Sequence, residues 1–279
     1  MSSPEQAYAR LLRRFGPQGW WPVTPPGGIR PRYHPGGFRI PAEAAALEIC
    51  LGAILTQNTA WTNVERALES LHKNGPLSTA NILRMRSSRL QKLIRSSGYF
   101  VQKSLRLKDL CRRILAEKRP LTLWLQDPLP GLREALLAVR GIGPETADSI
   151  LLYAGARPVF VVDAYTRRIG ERLGWLSAPP KKRRAAMSYE EVRAFFEENL
   201  PHRASTAAVP LYQEYHALLV ALAKAHCTKQ RPSCAGCPLD PVCKKVGIPC
   251  RSSNPSLSSP RRKPGSRRRR APGFRLPPE

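Results

Sequence analysis

Apolar residues recur along most of this chain at the spacing of an α-helix, not in the alternation of a strand. Between Ala42 and about Leu71, Leu47, Leu51, Ile54 and Leu55 fall on one helical face. The same period predicts helices near 79–86, 87–96, 102–117, 131–140, 144–154, 164–174, 188–199 and 211–226. Pro76, Gly98 and Pro120 punctuate them, and residues 17–41, dense in Pro and Gly, read as loop. VFVV at 159–162 is too short and isolated to imply a sheet, so the predicted class is all-α. Residues 251–279 carry no core-forming pattern and are predicted to be a disordered basic tail.

Length and composition narrow the picture. A chain of 279 residues with 42% apolar content can bury one large core or two smaller ones. No apolar run approaches the roughly 18 residues of a membrane span. The opening segment MSSPEQAYARLLRRFG is amphipathic and lacks the apolar centre of a secretory signal. A soluble intracellular protein, off the membrane, is the expectation.

The formal charge is +26. The last 29 residues hold nine Lys/Arg and one Glu, so most of the excess sits on residues 1–250. Such an excess repels itself unless a polyanion compensates it, and nucleic acid is the commonest one. Simple solubilisation by a basic surface is the bland alternative. A basic membrane-surface protein fits less well, because no basic amphipathic helix with aromatic anchors stands out.

Residues 131–154, GLREALLAVRGIGPETADSILLYA, combine two amphipathic helices with a tight turn. Leu132, Leu136, Leu137 and Val139 lead into Gly141-Ile142-Gly143, and Pro144 suits the first turn of the next helix. Two glycines let a phosphate approach the backbone, and the helix start adds free amides. Ile142 is expected to point inward and lock the helices. The pattern reads as a sequence-independent DNA-backbone grip; an ordinary Gly-containing helix turn is the alternative.

The cysteines divide into two sets. Cys50 and Cys111 are isolated in helical stretches and read as small buried hydrophobes. Cys227, Cys234, Cys237 and Cys243 have the spacing C-x6-C-x2-C-x5-C, and Cys250 lies outside it. Four thiolates suit a tetrahedral zinc ion or a [4Fe–4S] cluster, and spacing alone does not choose.

The combination LLAVRGIGPETADSILLYA followed by PVFVVDAYTRRI resembles the endonuclease III-like helix-hairpin-helix DNA glycosylases. The resemblance runs from about Ala42 through Cys243 and takes in LEICLGAILTQNTAWTNVERAL, GYFVQKSLRLKDL and the cysteine spacing. It implies a two-lobed all-α fold with an iron–sulfur cluster loop. One lobe is a helical barrel, 40–157, containing the hairpin. The other joins 1–39 to 158–250 and carries the loop 227–243.

The resemblance further implies a base excision repair enzyme, expected as a monomer, whose partner is double-stranded DNA containing a damaged base and whose cofactor is a [4Fe–4S] cluster. Asp163 matches the family's catalytic carboxylate, which would stabilise an oxocarbenium-like sugar cation and help activate water. Read locally, Asp163 is a helix N-cap, and the two roles are compatible. Lyase members of the family carry a lysine two residues past the second glycine, where this chain has Glu145. A carboxylate cannot form an imine, so a monofunctional enzyme is expected, with Glu145 a possible pocket residue or only a first-turn helix residue.

Further site residues follow from the same match. Gln57 or Asn58, in LTQNTAW, the part resembling the family's loop that enters the DNA stack, would fill the gap left by the flipped nucleotide, an interior amide being the alternative. Lys229 and Arg231, between the first two cysteines, would meet phosphate, and His216 matches a family histidine. Trp20-Trp21-Pro22 would either sandwich the flipped base or clamp the helical core. Together with LTQNTAW these residues look like the 3-methyladenine glycosylase subgroup, although that subgroup can lack the four-cysteine motif kept here. Alkylated purines are therefore the expected substrates. An endonuclease III-type glycosylase/lyase for oxidised pyrimidines or mismatched uracil or thymine, and a non-catalytic DNA-binding protein, are the competing readings.

Overall fold

The computed structural model describes residues 3–37, 40–176, 186–203 and 205–248; Cys250 and the tail lie outside them. The first helix, α1 (Pro4–Phe15), starts at a reciprocal cap in which Ser3 Oγ accepts from Gln6 N–H and the Gln6 side chain accepts from Ser3 N–H. The pattern from Ala42 to Leu71 predicts one helical stretch, but the structure divides it into α2 (Glu43–Leu55) and α3 (Trp61–His72). The break has a local cause. Thr56 Oγ1 donates back to Gly52 O at 2.6 Å, and Asn58 adopts φ +53°, a left-handed conformation that Asn tolerates. Lys103 then covers the end of α2, its Nζ donating to Leu55 O and Ser97 O, both at 2.7 Å.

Short helices α4 (Thr79–Arg84) and α5 (Ser87–Leu93) pack on α6 (Phe100–Ala116), and α7 (Leu121–Trp124) packs against α2. The hairpin is α8 (Leu129–Leu137) and α9 (Pro144–Ser149), the latter continuing through a π-helical turn, Ile150–Ala154. A buried ion pair fixes it: Arg133 Nε to Asp148 Oδ1 at 2.7 Å and Nη2 to Oδ2 at 3.2 Å. Three further helices follow, α10 (Ala164–Leu173), α11 (Tyr189–Glu198) and α12 (Ala208–Ala225). α12 packs against α1 and α10.

Among the described residues there is no strand, only an isolated bridge between Val23 and Arg32. The apolar run 159–162 is extended but lies in the core, where the Phe160 amide donates to Glu197 Oε1 at 2.9 Å instead of to a neighbouring strand. α2 is buried on every side from Ala46 to Leu55 and forms the centre of the molecule. Cys50 and Cys111 are buried, and their thiol pKa values are pushed up by that burial. No described helix is long and apolar enough to cross a membrane.

Candidate active site

The carboxylate of Asp163 starts α10. Its Oδ1 accepts the Thr166 amide at 2.7 Å, so the sequence folds it there as a side-chain cap. The other oxygen, Oδ2, lies 3.6 Å from His216 Nε2, and the side chain keeps 13% of its surface exposed. Burial alone would raise the Asp163 pKa, but His216 and the Thr166 amide outweigh it and hold the group below the usual aspartate range. The anion is thus stabilised without being enclosed.

Asp163 lines a cavity of about 470 Å³. Its aromatic wall comes from Trp20, Tyr33, Trp61 and Tyr165, with Trp21 behind. Trp20 and Trp21 meet edge to face at 85°, so the two indoles do not form parallel faces around a ligand. Trp20 is half-buried and also approaches Trp61 and His216, whereas Trp21 and Pro22 are buried. Trp21 packs on Gly52, where a Cβ would come within 3.2 Å of the indole nitrogen. The clamp reading therefore describes Trp21 and Pro22, and Trp20 faces the cavity.

The polar wall is acidic. Glu65, Glu145 and Asp163 line it, opposed by Lys224 and His216. Glu65 is held by the Trp61 indole N–H at 2.8 Å. Glu145 is exposed on its outer side, yet desolvation at the cavity wall and then the neighbouring charge of Asp163 raise its pKa, with His216 opposing. His216, Val220 and Lys224 share one face of α12 at a spacing of four. Sequence reading passed over Trp61, Tyr33, Tyr165, Glu65 and Lys224. Only the α12 spacing and the Trp at the end of LTQNTAW could have signalled them.

The hairpin turn sits beside this cavity. Gly141 has φ +84°, and a Cβ there would fall 2.3 Å from Arg106 Nε, so glycine is required twice over. Gly143 caps α9 and faces open space. Ile142 is buried, and its amide donates to Val139 O at 3.0 Å, which leaves it holding the turn. Gln57 is tied across to the hairpin, donating to Gly141 O at 3.0 Å and Thr146 Oγ1 at 2.9 Å while accepting from Arg106. Asn58 is exposed at the loop's apex.

At the far end of α12, Cys227, Cys234, Cys237 and Cys243 are unpaired, partly buried and within electrostatic reach of one another. Arg172 Nη1 donates to Cys227 Sγ at 3.1 Å, and the Lys245 amide to Cys243 Sγ at 3.4 Å. Among the described residues no three His, Cys, Asp or Glu side chains group as a single metal ion requires. Lys229 and Arg231 are exposed on the intervening loop, away from the cavity lining.

A glycine hairpin lies next to a carboxylate in an aromatic-lined cavity, and the family match gives that arrangement its class, base-excision DNA repair. The chain belongs to the HhH-GPD DNA glycosylase superfamily: residues 51–194 match the family described as HhH-GPD superfamily base excision DNA repair protein. It is 38% identical over 239 residues to "Putative DNA repair glycosylase MJ1434" of Methanocaldococcus jannaschii, covering 85% of this chain and 93% of that one. Among solved structures, the Helicobacter pylori 3-methyladenine DNA glycosylase MagIII bound to 1,N6-ethenoadenine is 28% identical, with a TM-score of 0.59 over 80% of this chain and 98% of its own. A non-covalent endonuclease III–DNA complex, 18% identical, shares the fold with a TM-score of 0.62 over 88% and 97%.

Proposed function

We propose that this protein hydrolyses the N-glycosidic bond of a damaged base flipped out of double-stranded DNA, acts on alkylated purines such as 3-methyladenine, and leaves an abasic site uncut. The observation that carries the reading is the ionised, partly open Asp163 carboxylate in an acidic, aromatic-lined cavity. Cleavage builds positive charge on the sugar, and a carboxylate anion held in a poorly solvated site stabilises that charge. The base must leave the stack first. Trp20 and Trp61 offer stacking surfaces worth about 1–3 kcal/mol per base. A methylated purine carries a positive charge, which aromatic faces and an excess of carboxylates favour. Similarity to a 3-methyladenine glycosylase supports the same substrate class.

Around this centre, a 40–157 barrel and a flanking lobe would form the two walls that receive the duplex. Gly143 would receive a phosphate, Asn58 would enter the gap in the duplex while Gln57 braces the loop, and Lys229 and Arg231 would add backbone contacts. The residue types of the cysteine loop suit a [4Fe–4S] cluster, with four free, partly buried thiols and N–H groups directed at two of the sulfurs, although the side chains of the described residues are not gathered as a metal ion requires. A cluster bound there supplies a structural clamp. The chain's own Arg172 already draws this loop to α10 through Cys227 Sγ and Thr228 O.

One observation favours a second reading, a glycosylase with lyase activity: Lys224 brings an amine to the cavity although Glu145 occupies the usual lysine position. The test is a panel of duplexes, each with a single lesion, scored for base release by wild type and Asp163→Asn. Borohydride trapping on an abasic duplex accompanies it. Release of alkylated purines by wild type alone, without a trapped adduct, is expected. Release by both proteins would remove Asp163 from its role. A trapped adduct lost in Lys224→Ala would establish the second reading, and binding without any release would favour a non-catalytic protein.

A further inference from the structure

Asp163 is backed by a chain of buried polar groups. His216 Nε2 faces its Oδ2 at 3.6 Å, and His216 Nδ1 lies 2.7 Å from the Tyr153 hydroxyl. That hydroxyl also reaches Gln213 O at 3.1 Å. His216 and Tyr153 are 6% and 2% exposed, so the contact between them is shielded from water, while the Asp163 side of the imidazole meets the cavity. Tyr153 remains a phenol, because burial and then Asp163 and Glu214 push its pKa well up.

The phenol has one proton and two acceptors. When it donates to His216 Nδ1, the neutral imidazole must carry its own hydrogen on Nε2, directed at Asp163. When the imidazole takes up a second proton, Nδ1–H becomes the donor, and the hydroxyl turns its hydrogen to Gln213 O. Both arrangements keep an N–H aimed at Asp163. They differ in charge: neutral imidazole leaves the carboxylate its full negative field, and imidazolium cancels most of it.

We infer that the Tyr153–His216 pair is a proton-responsive positioning device that sets how much negative charge Asp163 offers to a cation at the sugar position. The inference rests on the reading of Asp163 as the charge-stabilising group. The other charged groups facing His216 are Glu145 on α9 and Asp163 on α10, with Trp20 edge-on from the N-terminal segment and Lys224 two turns along its own helix. His216 acts through Asp163 and is a positioning residue, not a catalytic one.

The test reads charge without requiring the lesion to be known. Full-length protein is titrated by fluorescence anisotropy with duplexes carrying either a pyrrolidine abasic analogue, cationic at the sugar, or neutral tetrahydrofuran. The ratio of the two affinities is followed with pH. In the wild type the preference for the cation should shrink by about tenfold as pH is lowered, the upper end of one screened charge pair. His216→Gln still donates toward Asp163 but cannot gain charge; with Glu145→Gln added to both proteins, so that the carboxyl beside Asp163 no longer titrates, its preference should stay level over the same range. Tyr153→Phe, which removes the rotating hydroxyl, should flatten or displace the profile while leaving the core filled.

A His216→Gln profile that tracks the wild type would overturn the inference, as would a wild-type preference that does not change with pH. Asp163→Asn separates the two claims: a preference for the cation that survives this change would sink the underlying reading. A preference lost in Asp163→Asn with an unaltered His216→Gln profile would sink only the device.

Discussion

Asp148 and Asp163 lie on either side of the same buried connection and meet opposite fates. Asp148, on α9, is fully buried and bonded through both oxygens to Arg133, which also holds Glu190. Burial alone would lower the Arg133 pKa, but these bonds raise it further instead, so the guanidinium stays charged. Asp163 has a backbone amide, an imidazole at more than hydrogen-bond distance, and an open cavity. A bidentate guanidinium consumes a carboxylate's field and turns it into structure. A loosely tied carboxylate keeps its field available. The difference separates a hairpin strut from a chemical group within one short stretch of chain.

The comparison breaks most easily at the strut. Arg133→Ala strips the guanidinium from buried Asp148 and leaves it the Tyr189 hydroxyl, and should cost up to about 3–5 kcal/mol of stability in urea unfolding. Replacing both partners together, Arg133→Met with Asp148→Leu, should recover most of that loss. If Arg133→Ala unfolds like the wild type, the pair is not the strut described above.

Next comes the chemical group. Asp163→Asn preserves size and the cap acceptor, so its melting temperature should shift little. Single-turnover base release should fall by about 10²–10³-fold, the usual cost of losing one preorganised charge-stabilising contact. A large drop in melting temperature with little loss of rate would make Asp163 a second strut.

Much of this contrast was readable in the sequence, but not all. The glycine hairpin, the capping position of Asp163 and the four-cysteine spacing are local patterns, and local patterns survive without coordinates. Ile142 turning inward followed from its place between the two glycines of the hairpin turn. The break at Thr56–Ala60 was hidden from the apolar period, which continues on both sides of it, and only the likeness of LTQNTAW to a DNA-entering loop signalled it. The fate of Asp148 was hidden too: nothing near it names Arg133 as its partner, which only the crossing of α8 and α9 supplies. Trp20 and Trp21 are adjacent and identical in type, yet one faces the cavity and one fills the core. Tertiary packing decides that, and the segment's Pro/Gly-rich loops carry no period from which to read it.

Away from both aspartates, Lys229 and Arg231 sharpen the picture of DNA contact. Each phosphate contact on duplex DNA contributes about 0.9 to the slope of log affinity against log salt. Replacing both with Ala should therefore flatten that slope by up to about 1.8, with base release at saturating protein unchanged. Binding isotherms at several salt concentrations measure it, and an unaltered slope would take this loop off the DNA.

The smallest effect expected concerns Glu145, the neighbour that shares the cavity with Asp163. Its carboxyl pKa is raised in the folded protein, so the unfolded chain releases that proton first as pH rises. The stability it contributes is fully present below its ordinary value of 4.5 and is lost as pH rises through the higher folded value. Asp163 runs the other way: its contribution is present above 3.8 and lost as pH falls through its lowered value. Glu145 thus opposes folding at neutral pH, and Glu145→Gln should be the more stable protein there. Solvent at the cavity mouth screens the repulsion, so the gain should stay under about 1 kcal/mol. It should also vanish when unfolding is measured below pH 4.5. A gain that persists at acidic pH would reflect packing of the amide, and the two carboxylates would then not be competing for the same charge.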